Sequence, residues 1–277
     1  DPIDLIDIRS KRDGSTPVFK DTTHYMLKLG DFQKQLEEWV EGKTDWRANV
    51  RNQTLGMLRE GLHERAITRD IDWGVPVPIE GWDSKRIYVW FEAVIGYLSA
   101  TRAWSEKQGT PDAWEKWWLD PEGESYYFQG KDNVSFHTIM LPSILLGNGD
   151  LNLPTDVVAN EYLTFGGADF SKSTGNAVWV PDFLTRYDAD SLRYYLASIM
   201  PETSDSEFTW EGFHAANNNE LVATFGNFVH RVLTITTRNF NNAIPTPGEL
   251  DPEDQATLEA CDTALEEVSQ AMDSRRF

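Results

Sequence analysis

Residues 170–176 read FSKSTGN, a lysine held between two serines, with Gly166 and Gly167 just upstream and Gly175 inside the stretch. An ammonium point charge on glycine-permitted backbone can approach phosphate oxygens. Ser171, Ser173 and backbone N–H groups would add hydrogen bonds beside Lys172. The spacing is not that of a Walker loop, because GxxxxGK[ST] does not fit. On chemistry alone, a mobile surface turn rich in Ser and Thr explains the segment equally well.

Three further groupings could do chemistry. FQGKDNVSFH (128–137) sets Gly130 and Asp132 directly after an apolar run and His137 about one and a half turns into the next helix. A carboxylate there can receive the ammonium of a small substrate, and the histidine can join its pocket. Equally, Asp132 or Asn133 caps a helix and His137 is a satisfied core residue. YVWFEAVIGYLSA (88–100) puts Trp90, Glu92 and Tyr97 around a strand-to-helix change. Aromatics there line either an apolar pocket with a few fixed polar groups or plain core. Asn227 and Arg231 are four apart, hence on one helix face. They suit either hydrogen bonds to base edges or a solvated surface.

The elements that must position these residues follow from periodicity. Phe32, Leu36, Trp39 and Val40 repeat at helical spacing with Asp31 as N-cap, and a second pattern runs from about Val50 to Leu62. Gly74, Pro76 and Pro78 end it. RIYVWF (86–91), Tyr126–Phe128 and Asp156–Asn160 predict strands. Phe136, Ile139, Met140, Ile144 and Leu145 predict a helix bent near Pro142. Strands alternating with helices predict an α/β parallel sheet, whose ligands bind at the carboxyl ends of the strands. From about residue 181 the pattern predicts helices alone, around Leu192–Ile199, Leu221–Ile235 and, from near Pro252, Leu258–Val268. Residues 1–20 are rich in turn formers and charge, which predicts irregular structure.

The totals bound the class. A 277-residue chain predicts two or three structural units, and 40% hydrophobic content with 11 Trp and 14 Phe excludes a disordered protein. Cys261 alone excludes an internal disulfide framework and a multi-cysteine zinc site. No apolar run nears the ~20 residues that span a bilayer and no signal peptide opens the chain, so the reading is soluble and cytoplasmic, with no membrane partner. Against 45 acidic residues stand 25 basic ones, a net −20. That charge opposes nucleic-acid binding, unless it reflects a surface adapted to high salt, where screening is short-ranged. The salt-adapted, halophilic reading is the one favoured here. The chain opens at Asp1 and stops at Phe277 inside an apparent helix, and both ends suggest a piece of something longer.

Taken in order, TRDIDWGVPVP, YVWFEAVIGYLSATRAW, YYFQGKDNVSFHTIMLPSILL, ANEYLTFGGADFSKSTGN and NFVHRVLTITTRNF resemble segments of the methionyl-tRNA synthetases, class I aminoacyl-tRNA synthetases with a Rossmann catalytic domain. They span roughly residues 68–240. The FSKS loop is shared across class I synthetases. The combination of DWGVPVP, the IGY stretch and GKD followed by FH is more specific to the methionine enzyme.

The resemblance implies an α/β fold: the second half of a Rossmann-type parallel-sheet catalytic domain, then an all-α anticodon-binding helical bundle. It places the remainder of the connective insertion in 1–67, the catalytic half in 68–180, and the stem-contact region and start of the anticodon domain in 181–277. It implies activation of methionine by ATP, with Mg2+, to methionyl-adenylate and transfer to tRNA(Met). Trp90, Ala93, Tyr97 and His137 would enclose the methionine side chain, with Val94 where relatives carry proline. Asp132 would receive the ammonium, Gly130, Asp132 and Lys172 would bind ATP, and Lys172 with Ser171 and Ser173 would stabilise the phosphates. Asn227 and Arg231 would read the anticodon.

Departures from the family pattern are Asp169 at a usual lysine, Glu92 at a usual aspartate and Leu141 at a frequent tryptophan. The five histidines, at 24, 63, 137, 214 and 230, include no H-x-G-H, so the HIGH-type half of the ATP site is missing. The zinc-knuckle cysteines are missing too, and zinc is expected only upstream, with no metal in this chain. An archaeal or halophilic carboxyl-side fragment, inactive alone, is therefore expected. The alternatives are another class I synthetase, for valine, leucine or isoleucine, or a non-catalytic synthetase-derived tRNA-binding module. Nothing in the sequence specifies an oligomeric state.

Overall fold

Buried aliphatic residues one helical turn apart open the structural core: Leu36 and Val40 are both fully covered, as the apolar stripe of an amphipathic helix requires. The computed structural model describes residues 5, 6, 9, 10, 13–18 and 20–277. The chain forms two compact units.

The first unit comprises residues 1–44, 54–124 and 135–153. Its strands are short antiparallel pairs: β1 (Leu5–Ile6) with β2 (Arg9–Ser10), β3 (Met26–Leu27) with β4 (Arg65–Ala66), and β5 (Thr68–Arg69) with β6 (Arg86–Ile87). Its helices are α1 (Gln33–Glu41), the later turns of α2 (Ala48–Glu60), α3 (Val89–Glu92), α4 (Gly96–Lys107), α5 (Glu115–Trp118) and α6 (Leu141–Asn148). Leu58, Ile139, Leu141 and Leu145 join Leu36 and Val40 as buried core residues. Inside that core the Thr54 hydroxyl donates to Thr138 Oγ1 at 2.9 Å, so two buried polar groups are satisfied together.

Two expectations are corrected in this unit and two are refined. Asp31 does not cap α1; it lies within a tight turn, Leu29–Phe32, that leads into the helix with no side-chain cap. The RIYVWF strand stops at Ile87. Beyond it the Phe91 and Glu92 amides bond back to the Tyr88 carbonyl at 2.9 and 3.2 Å, closing a helical turn. Tertiary context has overridden aromatic and β-branched propensity there. The helix expected around Pro142 forms, with a π-helical segment, Phe136–Met140, directly before the proline. Pro142 follows that segment inside one continuous helical run, so it forgoes the amide that would bond back to the Thr138 carbonyl. The irregular reading of residues 1–20 holds at 13–18 and 20 and gives way only at the short β1–β2 pair, while residues 1–4, 7, 8, 11, 12 and 19 lie outside the described residues.

A polar node beside β5 is sensitive to acid. Lys85 Nζ donates to Asp70 Oδ1 at 2.7 Å and to Thr22 Oγ1 at 3.0 Å, and the Thr22 hydroxyl donates to the second Asp70 oxygen. The Lys85 bond first, then the Thr22 bond, holds the Asp70 pKa at about 2. The unfolded value is about 3.9, so the node stabilises the fold above roughly pH 4 and loses that contribution as pH falls toward 2. Lys85→Met is expected to flatten the pH dependence of urea unfolding within that window. An unchanged slope between pH 4 and 2 would rule the node out as its source.

The second unit comprises residues 45–53, 125–134 and 154–277. β7 (Tyr126–Gly130) and β8 (Asp156–Asn160) pair in parallel, in register from Tyr126↔Asp156 to Gly130↔Asn160. Four consecutive residues of β8, Asp156–Ala159, are buried, as in a parallel strand covered on both faces. β9 (Leu163–Phe165) carries β10 (Ala168–Asp169) antiparallel on one side and β11 (Ser206–Phe208) parallel on the other. α7 (Val180–Leu184) precedes α8 (Ala189–Ser198), whose first turn is capped by the Asp188 carboxylate. Then come α9 (Trp210–Ala215), a π-helical stretch (Ala216–Gly226), α10 (Asn227–Asn239) and α11 (Pro252–Asp273), which opens on a capping box at Asp251. Phe183, Leu192, Tyr195, Phe208, Phe213 and Ala216 form one core cluster.

The all-helical expectation beyond residue 181 therefore fails at β11, where Phe208 is buried in that aromatic cluster. The expectation that the chain stops inside a helix fails as well. α11 ends at Asp273, and Arg275 takes a φ of 55° while its guanidinium bonds Asp156 Oδ2 at 2.7 Å. Among the described residues no helix is long and apolar enough to cross a membrane.

Candidate functional site

In the first unit, Trp90 stands on α3, Ala93 opens the tight turn Ala93–Ile95, and Tyr97 lies in the first turn of α4. Their spacings of three and four place all three on one face. Val94, between them, is buried and anchors the segment. Trp90 and Tyr97 remain 50% and 44% exposed, whereas His137 is only 6% exposed. The Tyr97 hydroxyl and His137 Nε2 are 2.8 Å apart, and the Trp90 ring lies 5.6 Å from Phe136. Phe136 and His137 are the first two residues of the π-helical segment, a geometry enriched at functional sites. Each thus finds an aromatic partner on the α3–α4 segment. The result is a cup of half-exposed rings over one fixed polar pair. Aromatic edges beside a phenol–imidazole bond are chemically compatible with an uncharged, polarizable side chain.

In the second unit, β7 ends at Gly130, and Lys131–Asn133 form a single tight turn. A Cβ on Gly130 would stand 2.8 Å from Asp132 Oδ1. A side chain there would push the Asp132 carboxylate aside. Asp132 is exposed and able to meet a cation.

The FSKSTGN stretch forms a hydrogen-bonded loop at the end of a hairpin. Gly166 and Gly167, at φ 64° and 73°, make the two-residue connection between Phe165 and Ala168, a turn that demands positive φ at both positions. The Gly167 amide donates to Glu207 Oε1 at 2.8 Å, and Phe170 stacks on Phe165. The Ser171 amide donates to the Asn176 carbonyl at 2.9 Å, closing the loop. Asn176 Nδ2 donates to the carbonyls of Phe165 and Asp169 at 2.9 and 3.0 Å. One amide group thus pins the loop to both strands of the hairpin. Within the loop the Ser171 and Ser173 hydroxyl oxygens are 3.2 Å apart and Lys172 is exposed. Asp169 lies on β10 opposite Thr164, with its side chain exposed.

Asn227 begins α10 and Arg231 follows one turn later, both exposed. The structure thus brings Trp90, Ala93, Tyr97 and His137 together in the first unit. In the second, Gly130 shares a turn with Asp132, Ser171–Ser173 share the closed loop, and Asn227 shares a helix face with Arg231. Sequence reasoning missed Phe136 as the partner of Trp90 and Asn176 as the loop's clasp. An asparagine directly after glycine was the available signal for the second. Leu141 is fully buried in the core. No cluster of three or more His, Cys, Asp or Glu placed to hold a metal occurs among the described residues.

The profile of the family described as tRNA synthetases class I (M) matches residues 1–233. The methionine–tRNA ligase of Thermobifida fusca is 49% identical over 100% of this chain and 48% of its own length. That of Dehalococcoides mccartyi strain CBDB1 is 55% identical over 84% of this chain and 42% of its own. The chain therefore spans about half the length of the curated relatives it matches. A crystal structure of Mycobacterium tuberculosis methionyl-tRNA synthetase bound by methionyl-adenylate superposes with a TM-score of 0.81 at 25% identity, covering 98% of this chain and 52% of that one. These relatives are bacterial, and they lend no support to the archaeal, halophilic origin expected from charge. With the profile matching most of its length, the chain belongs to the class I tRNA synthetases of the M type, the methionyl-tRNA synthetase family.

Proposed function

We propose that this chain serves a methionine–tRNA ligase, which activates methionine with ATP to methionyl-adenylate and transfers it to tRNA(Met), with Mg2+ accompanying ATP. The observation that carries the reading is the aromatic cup of Trp90 and Tyr97 around buried His137. In this reading Trp90, Ala93, Tyr97 and His137 receive the thioether side chain. Asp132 accepts the substrate ammonium, and Gly130 with Asp132 contributes to ATP binding. Lys172, Ser171 and Ser173 stabilise the phosphates while the methionine carboxylate attacks the α-phosphorus. That chemistry rests on positioning and on charge stabilisation in the transition state. Residues 68–180 act as the catalytic part and 1–67 as the connective segment leading into it. Residues 181–277 contribute stem contact and the start of the anticodon domain, where Asn227 and Arg231 read bases.

ATP–pyrophosphate exchange by protein expressed from the complete gene tests this reading. Exchange driven by methionine, and not by valine, leucine or isoleucine, is the expected result. Exchange with one of the branched amino acids, or none with any, would overturn it. The 277-residue chain, which contains no H-x-G-H, is expected to show no exchange by itself.

A further inference from the structure

Lys131 sits between the two residues given roles at the end of β7, yet it is turned to a different task. Its Nζ donates to Glu161 Oε2 at 2.7 Å and to Asp205 Oδ1 at 2.8 Å, and lies 4.3 Å from the centre of the Tyr162 ring. Glu161 and Tyr162 are the two-residue link from β8 to β9, and Asp205 directly precedes β11. The partners are themselves tied down: Asn49 Nδ2 donates to Glu161 Oε1 at 3.0 Å, and the Tyr162 amide donates to Asp205 Oδ1 at 2.8 Å.

The β7–β8 pair and the β10–β9–β11 sheet are separate, with no strand shared between them. Lys131 therefore staples the edge of one sheet to the root of the other. Its ammonium faces two carboxylates and an aromatic face, so its charge is already neutralised and it is poorly placed to serve as a phosphate ligand. The Asp205 bond first, then the Glu161 bond, holds its pKa well above the usual lysine value, and both carboxyls are held below theirs.

We propose that Lys131 is a positioning residue that fixes the Asp132 turn relative to the hairpin carrying Ser171–Ser173. The functional part of this inference rests on the ligase reading above. Adenylate formation needs the ammonium-binding carboxylate and the phosphate loop in register at the same moment. Binding of methionine alone needs only the first. Loss of the staple should therefore appear in turnover rather than in amino-acid affinity.

In protein from the complete gene, Lys131→Met is expected to lower kcat for methionine-dependent exchange at least tenfold, with KM for methionine changed less than threefold. Lys131→Arg should stay within threefold of the parent. Lys131→Met combined with Asp205→Asn should be no slower than Lys131→Met alone, because both changes break one linkage. A second measurement is independent of catalysis. Amide hydrogen exchange at Gly167 and Ser171 should accelerate at least tenfold in Lys131→Met, while Leu192 in α8 stays unchanged.

A kcat at the parent level with hairpin exchange unaltered would overturn the proposal. A rise in KM for methionine matching the fall in kcat would overturn it by making Lys131 a substrate contact, and faster exchange at Leu192 as well would reduce it to general stability. If the parent itself shows no methionine-dependent exchange, the ligase reading falls, and hydrogen exchange at Gly167 and Ser171 still decides whether the staple exists.

Discussion

Lys172→Ala, in protein from the complete gene, is expected to cut kcat for methionine-dependent ATP–pyrophosphate exchange by about 10²–10³-fold, the usual cost of removing one preorganised transition-state donor. KM for methionine should change little, because the proposed reading gives Lys172 no part in holding the amino acid. The folded state should be nearly indifferent, since Lys172 is exposed and the loop is pinned by the Asn176 amide rather than by the lysine. A kcat within threefold of the parent would remove Lys172 from the chemistry. Asn176→Ala makes a useful contrast. It keeps the cation and releases the clasp, so a comparable loss there would locate the effect in the loop's shape.

Asp132→Ala should act on the other kinetic parameter. A hydrogen bond to a charged group contributes about 1.5–3 kcal/mol, so KM for methionine is expected to rise roughly 10- to 150-fold, using 1.36 kcal/mol per decade. Asp132→Asn keeps the shape against Gly130 and loses only the charge, so it should reproduce most of the effect. Equal methionine affinity in the parent and both variants, read by Trp fluorescence, would show that Asp132 does not receive the ammonium. Opposite kinetic signatures at Asp132 and Lys172 are what a division of labour between amino-acid binding and phosphate stabilisation requires.

Much of the candidate site could be read before the fold. The aromatic content of residues 88–100 marked Trp90 and Tyr97 as candidates around a change of element, and the interval from Gly130 to Asp132 put the carboxylate at a strand end. What the sequence concealed were contacts made across long separations or against local propensity. Trp90 lies in a run that favours strand, yet it sits on a helical turn closed by the Tyr88 carbonyl. Phe136 and His137 follow a 3.6-residue pattern on paper, but a π-helical insertion shifts both toward the aromatic cup. β11 is three residues long, too short for alternation to announce it, and it exists because Phe208 is buried and β9 offers a parallel edge. Net charge misled most. A global sum of −20 carries little information about a candidate site whose charges are single residues.

The Gly166–Gly167 connection also bears on the order in which this unit assembles. A two-residue closure costs little chain entropy, and hairpins form in microseconds. The parallel partners Tyr126 and Asp156 must instead meet across a long intervening stretch, and non-local pairings of that kind form late. The expected sequence is a glycine-turned hairpin shaped early and a sheet edge that arrives afterwards, so the last element to settle would be the one against which the first must be aligned.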